Sequence, residues 1–157
     1  LLHDIGKMAI PDRILSKSGP LDETEWEIMR QHPLIARDLL SHIEFLKPAI
    51  DIPTYHHEKW DGSGYPDGLY RTQIPLAARI FTIGDVWDAL RSDRPYRQAM
   101  SEGQARRILA HGYKTHFDPQ VYQAFIDLLN QGEFDFYNNN ELTSLSEIQN
   151  AILEHTV

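Results

Sequence analysis

The segment from Pro75 to Leu90 constrains the fold more than any other in this chain of 157 residues. Pro75 suits the first turn of a helix, where a missing N–H costs nothing. Behind it, Ala78, Ile80, Phe81, Ile83, Val86, Trp87 and Leu90 surround most of the helical circumference. A helix that is apolar on nearly every side is expected to be central and buried. The remaining pattern is helical too, so the fold class is all-α. Leu21-Asp22-Glu23-Thr24-Glu25-Trp26 sets a cap and an acidic first turn before apolar Trp26 and Met29. Pro33 restarts a helix carrying Leu34, Leu39, Leu40 and Ile43. Pro48 and Pro53 interrupt residues 46–57, which read as a helix ending near His56 and His57. Residues 58–74, holding Gly62, Gly64, Pro66 and Gly68, read as a loop.

Further on, Ser101-Glu102-Gly103-Gln104 is a capping box for a helix to about His111. Asp118-Pro119 caps another through Leu129, and Ser144-Leu145-Ser146-Glu147 starts a last one. No strand, internal repeat or second domain is visible, so residues 1–157 read as one domain. The opening Leu1-Leu2-His3-Asp4 lacks a capping residue. The expectation is a chain that starts partway along a helix, short of some of its domain, with little activity as an isolated piece.

Composition narrows the chemistry. There is no cysteine, so disulfides, thiolate ligands and thiol catalysis are excluded. Any metal must be held by imidazole and carboxylate, which suits Fe, Mn, Mg or Zn. A formal charge of −8 argues against a broad nucleic-acid-binding surface. It leaves a small phosphate ligand possible, because bound dications reverse the local sign. No apolar run approaches a membrane span and no signal peptide is visible, which points to a cytoplasmic location or a parent anchored elsewhere.

Two segments carry candidate chemistry: His3-Asp4-Ile5-Gly6-Lys7, and His56-His57-Glu58 leading into Gly62-Ser63-Gly64-Tyr65-Pro66. Neighbouring residues on a helix diverge by about 100°, so His3 and Asp4 address two sides of a site rather than chelating one ion. A carboxylate is a natural bridge between cations, and adjacent imidazoles can serve different ions about 3.5–4 Å apart. Each pair alone fits equally a hydrogen-bonded or solvent-facing group at a helix end. His32, just before Pro33, is ambiguous by itself. Asp85 interrupts an apolar run, and a buried carboxylate needs a cation or several donors. Metal ligation satisfies it, as does a pair with Arg79 or Arg91. Asp88, three residues on, can orient a ligand histidine. Lys7, at i+3 from Asp4, either stabilises charge on a phosphate or is a solvated lysine. Arg94 and Arg97 carry guanidinium forks that match phosphate and stack on guanine, though surface arginines often only solubilise.

In order and spacing, His3-Asp4-Ile5-Gly6-Lys7, His32, His56-His57-Glu58, Gly64-Tyr65-Pro66, Asp85 and Ser92-Asp93-Arg94-Pro95-Tyr96-Arg97 resemble the HD-GYP family of cyclic di-GMP phosphodiesterases. The likeness covers about residues 1–128 and includes Gly112 and His116-Phe117-Asp118-Pro119, leaving 129–157 as a C-terminal helical extension. It implies an HD-domain-like helical bundle with a Gly-Tyr-Pro loop. It implies two or three divalent metals, Fe or Mn, on His3, Asp4 as bridge, His32, His56, His57 and Asp85, with a further histidine expected upstream. Lys7 and Asp4 would be catalytic, while Gly64, Tyr65, Pro66, Arg94 and Arg97 would hold the substrate. The implied reaction opens cyclic di-GMP to pGpG, some members continuing to GMP and some preferring a mixed cyclic dinucleotide. Implied partners are diguanylate cyclase domains at the Gly-Tyr-Pro loop, an upstream sensory or receiver domain, and a second copy of the chain. A silent cyclic-dinucleotide sensor and an HD-type phosphohydrolase for another nucleotide are the alternatives. Ala36 and Arg71 depart from the family pattern, each standing where glycine is common.

Overall fold

The computed structural model describes residues 2–94 and 97–131. The chain divides into two compact units, residues 1–78 and 79–157. In the first, a 3₁₀ helix Ile5–Ala9 leads to α1 (Asp12–Leu15), α2 (Glu23–Met29) and α3 (His32–Ser41). A second 3₁₀ helix, Glu44–Ala49, precedes α4 (Asp51–Tyr55), and a long loop ends in the 3₁₀ turn Arg71–Gln73. Helix α5 (Leu76–Arg91) begins here and continues into the second unit, which holds α6 (Glu102–His111) and α7 (Pro119–Asn130). Among the described residues there is no strand, only isolated bridges such as Asp61 with Tyr70. No described helix is long and apolar enough to cross a membrane.

Local chemistry sets the element ends. Glu25 N–H donates to Asp22 Oδ1 at 2.9 Å while Asp22 N–H donates to Glu25 Oε2 at 2.9 Å, so the cap expected at the start of α2 is a reciprocal box. Ser101 and Gln104 repeat it at α6, and Asp118 caps α7 by accepting from Gln120 N–H at 2.8 Å. Pro48 sits inside the 3₁₀ turn, and α4 ends where His56 becomes its C-cap. The expected helix from Ser144 lies outside the described residues, as does the extension beyond Gln131.

Three findings correct the sequence reading. His3 and Asp4 lie in the turn that opens the first 3₁₀ helix, not inside an α-helix. The short helix α1 has no periodicity long enough to announce it. Helix α5 is not buried all round: Leu76 and Ile80 are each 54% exposed, and Asp88 on the same i, i+4 stripe is exposed. Its other faces carry Ala78, Ile83, Val86, Trp87 and Leu90 inward. An apolar residue on every side permits burial but does not compel it.

The first unit has a small apolar core of Ile10, Ile14 and Met29, with Leu21, Trp26, Ile28 and Ile35 against it. Helix α3 buries the stripe His32, Ala36 and Leu40. It rests on the backbone of Gly6, where an added Cβ would lie 1.9 Å from the His32 carbonyl oxygen. Only glycine allows that approach, and it carries Asp4 to His32. The second unit is built on Ile83, Trp87, Leu90, Met100, Ile108, Leu109, Phe117, Phe125 and Leu129. Each such side chain contributes about 1.5–3 kcal/mol when fully buried. Its buried Asp118 pairs with Arg79.

Candidate metal centre

Four side chains of the first unit converge. Asp4, His32, His56 and His57 each offer a ligand atom, and these atoms all lie within 4.8 Å of one another. The 3₁₀ turn presents Asp4, the buried start of α3 presents His32, and the end of α4 presents His56 and His57. His32 Nε2 is 3.3 Å and His56 Nε2 3.8 Å from Asp4 Oδ1. His57 Nε2 faces His32 Nε2 at 3.1 Å.

The tautomers show how this cluster is set to receive a cation. His32 Nδ1 lies 2.8 Å from the Met29 carbonyl oxygen, and His56 Nδ1 lies 3.1 Å from that of Pro53. Carbonyls only accept, so both Nδ1 atoms carry protons. In neutral rings the Nε2 atoms then present lone pairs toward Asp4 Oδ1, a buried oxygen that no donor meets with hydrogen-bond geometry. Imidazoles that donate one nitrogen to a carbonyl and direct the other at a carboxylate are arranged as metal ligands are. Burial lowers the pKa of His56 and holds that of His57 well below its ordinary value. Both are therefore neutral and ready to coordinate near neutral pH. Burial opposes ionisation of Asp4, but the hydrogen bond with His3 and the Lys7 ammonium favour it, and its carboxyl stays below the usual range. Three imidazoles and a carboxylate fit a divalent metal ion, and no thiolate is needed.

The sequence matches the HD domain family over residues 1–121, a span running through both units. The chain belongs to the HD domain family. Its likeness to the HD-GYP branch holds as well. It is 47% identical over 127 residues to a cyclic di-GMP phosphodiesterase of Pseudomonas aeruginosa, covering 80% of this chain and 30% of that protein. A cyclic di-GMP phosphodiesterase response regulator of Xanthomonas campestris is 46% identical over 127 residues, covering 80% and 34%. A 3′3′-cGAMP-specific phosphodiesterase of Vibrio cholerae is 41% identical over 128 residues, covering 80% and 24%. The chain thus spans about a third or less of the length of these relatives.

Around the HD centre the other candidate residues take distinct places. His3 adjoins the four through Asp4, its Nε2 lying 3.2 Å from Oδ2. Lys7 Nζ is 3.1 Å from the same oxygen. Tyr65 is buried, and its ring stacks on His57 with centroids 4.8 Å apart and planes at 21°. Burial and the nearby Asp4 charge raise its phenol well above the ordinary value, so it stays protonated. Gly64 serves close approach rather than unusual dihedrals: an added Cβ would stand 2.3 Å from Lys59 N and 2.6 Å from the His57 carbonyl oxygen. Gly62, by contrast, has φ +79° and does need glycine's freedom. Pro66 follows a cis peptide bond.

Asp85 lies half-buried on α5, in the second unit. Asp88, exposed, accepts from Ser92 Oγ at 3.4 Å. Arg94 is exposed and its backbone pairs with that of Arg97. The Arg97 guanidinium donates to the carbonyls of Ala89 at 2.7 Å and Leu90 at 3.3 Å, so it caps the end of α5. Arg30 was not singled out by the sequence, and Glu58 stood in the histidine motif with no role assigned. Arg30 sets its guanidinium 5.9 Å from the Tyr65 ring centroid and 5.7 Å from that of Trp26. Glu58 is buried against the loop, and nothing in a His-His-Glu string tells an inward acid from a ligand.

Proposed function

We propose that this chain is the catalytic domain of a metal-dependent phosphodiesterase that opens cyclic di-GMP to linear pGpG. The observation that carries the reading is the convergence of His32 and His56 Nε2 on Asp4 Oδ1, in a chain so similar to cyclic dinucleotide phosphodiesterases. Two or three iron or manganese ions on Asp4, His32, His56 and His57, joined by His3, would supply Lewis acidity and an acidified water. The protein's own part is to hold the donors rigid. The Met29 and Pro53 carbonyls fix which nitrogen of each imidazole faces the site. Tyr65 covers one face of His57. Lys7 brings an ammonium to the edge of the centre, where it meets the charge that grows on phosphate oxygens as the bond to the 3′ oxygen breaks. Arg94, exposed beside α5, is available to a phosphate or a guanine. Arg97 supports that segment through its cap on α5.

Turnover of cyclic di-GMP by protein loaded with Mn or Fe tests the proposal. Asp4→Ala should nearly abolish cleavage and metal uptake together. Lys7→Ala should lower kcat by roughly 100-fold, the scale for losing one preorganised charge-stabilising donor. Arg94→Ala should chiefly raise KM. Metal-loaded protein that binds the dinucleotide without cleaving it would make the chain a sensor. Preferential cleavage of 3′3′-cGAMP would move it to the other substrate class among its relatives.

A further inference from the structure

Glu58 follows the two histidines directly, yet its carboxylate is turned away from them. The side chain is 2% exposed, and its two oxygens accept from backbone N–H groups of the loop, Asp67 at 2.8 Å and Leu69 at 3.0 Å. A buried carboxylate with donors on both oxygens is satisfied without a cation. Two further contacts tie the same stretch to the same corner. Tyr65 N–H donates to the His57 carbonyl at 3.2 Å, and Gly64 lies too close to residues 57–59 to admit a Cβ. Residues 64–69 therefore wrap around Glu58, and the wrap carries the Tyr65 ring onto His57.

We propose that Glu58 is a positioning residue for the metal centre, acting through the loop and Tyr65 to fix the plane of the His57 imidazole. It is not a ligand. The inference rests on the metal reading given above, but the latch itself is a property of the chain without metal. Losing the carboxylate leaves the Asp67 and Leu69 N–H groups without buried acceptors, so the loop lifts toward water. Tyr65 leaves with it, and His57 gains rotational freedom that each coordination event must then remove. Partners of this kind typically alter metal affinity 10–100-fold.

Titrating Mn²⁺ calorimetrically into the full chain and its variants tests this. Glu58→Ala should weaken Mn²⁺ by roughly 10-fold. Glu58→Gln, which keeps one acceptor oxygen, should fall between it and the parent. Tyr65→Ala should weaken Mn²⁺ similarly, and combining it with Glu58→Ala should add little, because both act through one contact. Unchanged affinity in folded Glu58→Ala, or additive losses in the double variant, would overturn the proposal. Should Glu58→Ala fail to fold, Glu58→Gln against Tyr65→Ala decides by the same criteria. A second readout needs no metal: the Tyr65 ring current sets the His57 ring-proton shifts, which should move in Glu58→Gln and in Tyr65→Ala. A parent that binds no Mn²⁺ would fail the metal reading alone, and shifts that stay unmoved in Glu58→Gln would fail the latch.

Discussion

The two units differ in the size of their apolar clusters and in what their buried polar groups do. The second is a conventional apolar core in which Ile83, Leu90, Ile108 and Leu109 are almost wholly covered. The first has a smaller apolar cluster of Ile10, Ile14 and Met29, with Ala36, Leu40 and Ile74 buried elsewhere in it, and beside these it sets the polar His32, Thr54, His56 and Glu58, each at most 3% exposed. Apolar burial is non-directional and tolerates small shifts, whereas buried imidazoles and carboxylates require partners at fixed distances. The second unit is held chiefly by area, its buried polar residues Arg91, Ser101, Gln104 and Asp118 being paired by hydrogen bonds. The first is held in addition by close backbone approaches at Gly6 and Gly64 and by carbonyls that hydrogen-bond its histidines.

Glycine substitution should separate them most sharply. Gly6→Ala forces a Cβ onto the His32 carbonyl oxygen, backbone against backbone, and should cost about 4 kcal/mol or more. Metal uptake should fail with it. Gly103→Ala in α6 meets nothing within 4 Å and should be stabilising by about 0.5–1 kcal/mol. Thermal melts with a metal titration read both. A Gly6→Ala protein with the parent's melting temperature would show that α3 does not rest on Gly6 as described.

Next in size is a pair of opposite responses. Leu109→Ala, at a site with no exposure, should lose about 2–5 kcal/mol of stability and leave Mn²⁺ affinity unchanged. Adding Mn²⁺ to the parent should slow amide hydrogen exchange around Asp4, α3 and α4, because binding stabilises only the native arrangement. Protection spreading to α5 around Asp85 would support that residue as a ligand. Protection confined to α6 and α7 would contradict the assignment of the cluster.

What could be read beforehand followed from what local pattern encodes. The cap at Asp22, the capping box at Ser101, the Asp118-Pro119 start and the end of α4 at the two histidines are short-range features, and each stands where the sequence puts it. Which ligands meet was legible only as a constellation, and His32, Asp4, His56 and His57 do meet. The direction of a side chain was not legible. Arg97 could be counted as a cation but not seen to cap α5, and Tyr65 could be placed in the loop but not against His57. Arg71 was noted as a departure from glycine, and its φ of 52° shows the reason glycine is common there. Its guanidinium over the Tyr70 ring at 4.8 Å is one contact that glycine would forfeit.

The smallest effect compares two boxes of the same geometry and different chemistry. At α2 the reciprocal acceptors are carboxylates, Asp22 and Glu25; at α6 they are the neutral Ser101 and Gln104. Breaking either box with Asp22→Ala or Ser101→Ala should cost about 0.5–2 kcal/mol at neutral pH. Only the first box holds a carboxyl whose titration folding shifts, that of Glu25. The hydrogen bond from Lys17 and that from the Asp22 backbone hold Glu25 below its ordinary value of 4.5. A carboxyl depressed on folding contributes stability that is present above the unfolded pKa and lost as pH falls through the folded one. Glu25→Gln should therefore lower stability at pH 7 and approach the parent in acid well below 4.5, while the loss from Ser101→Ala stays level. Denaturant melts at both pH values measure it. A Glu25→Gln difference that persists undiminished in acid would mean the box works through shape alone, as its neutral counterpart does.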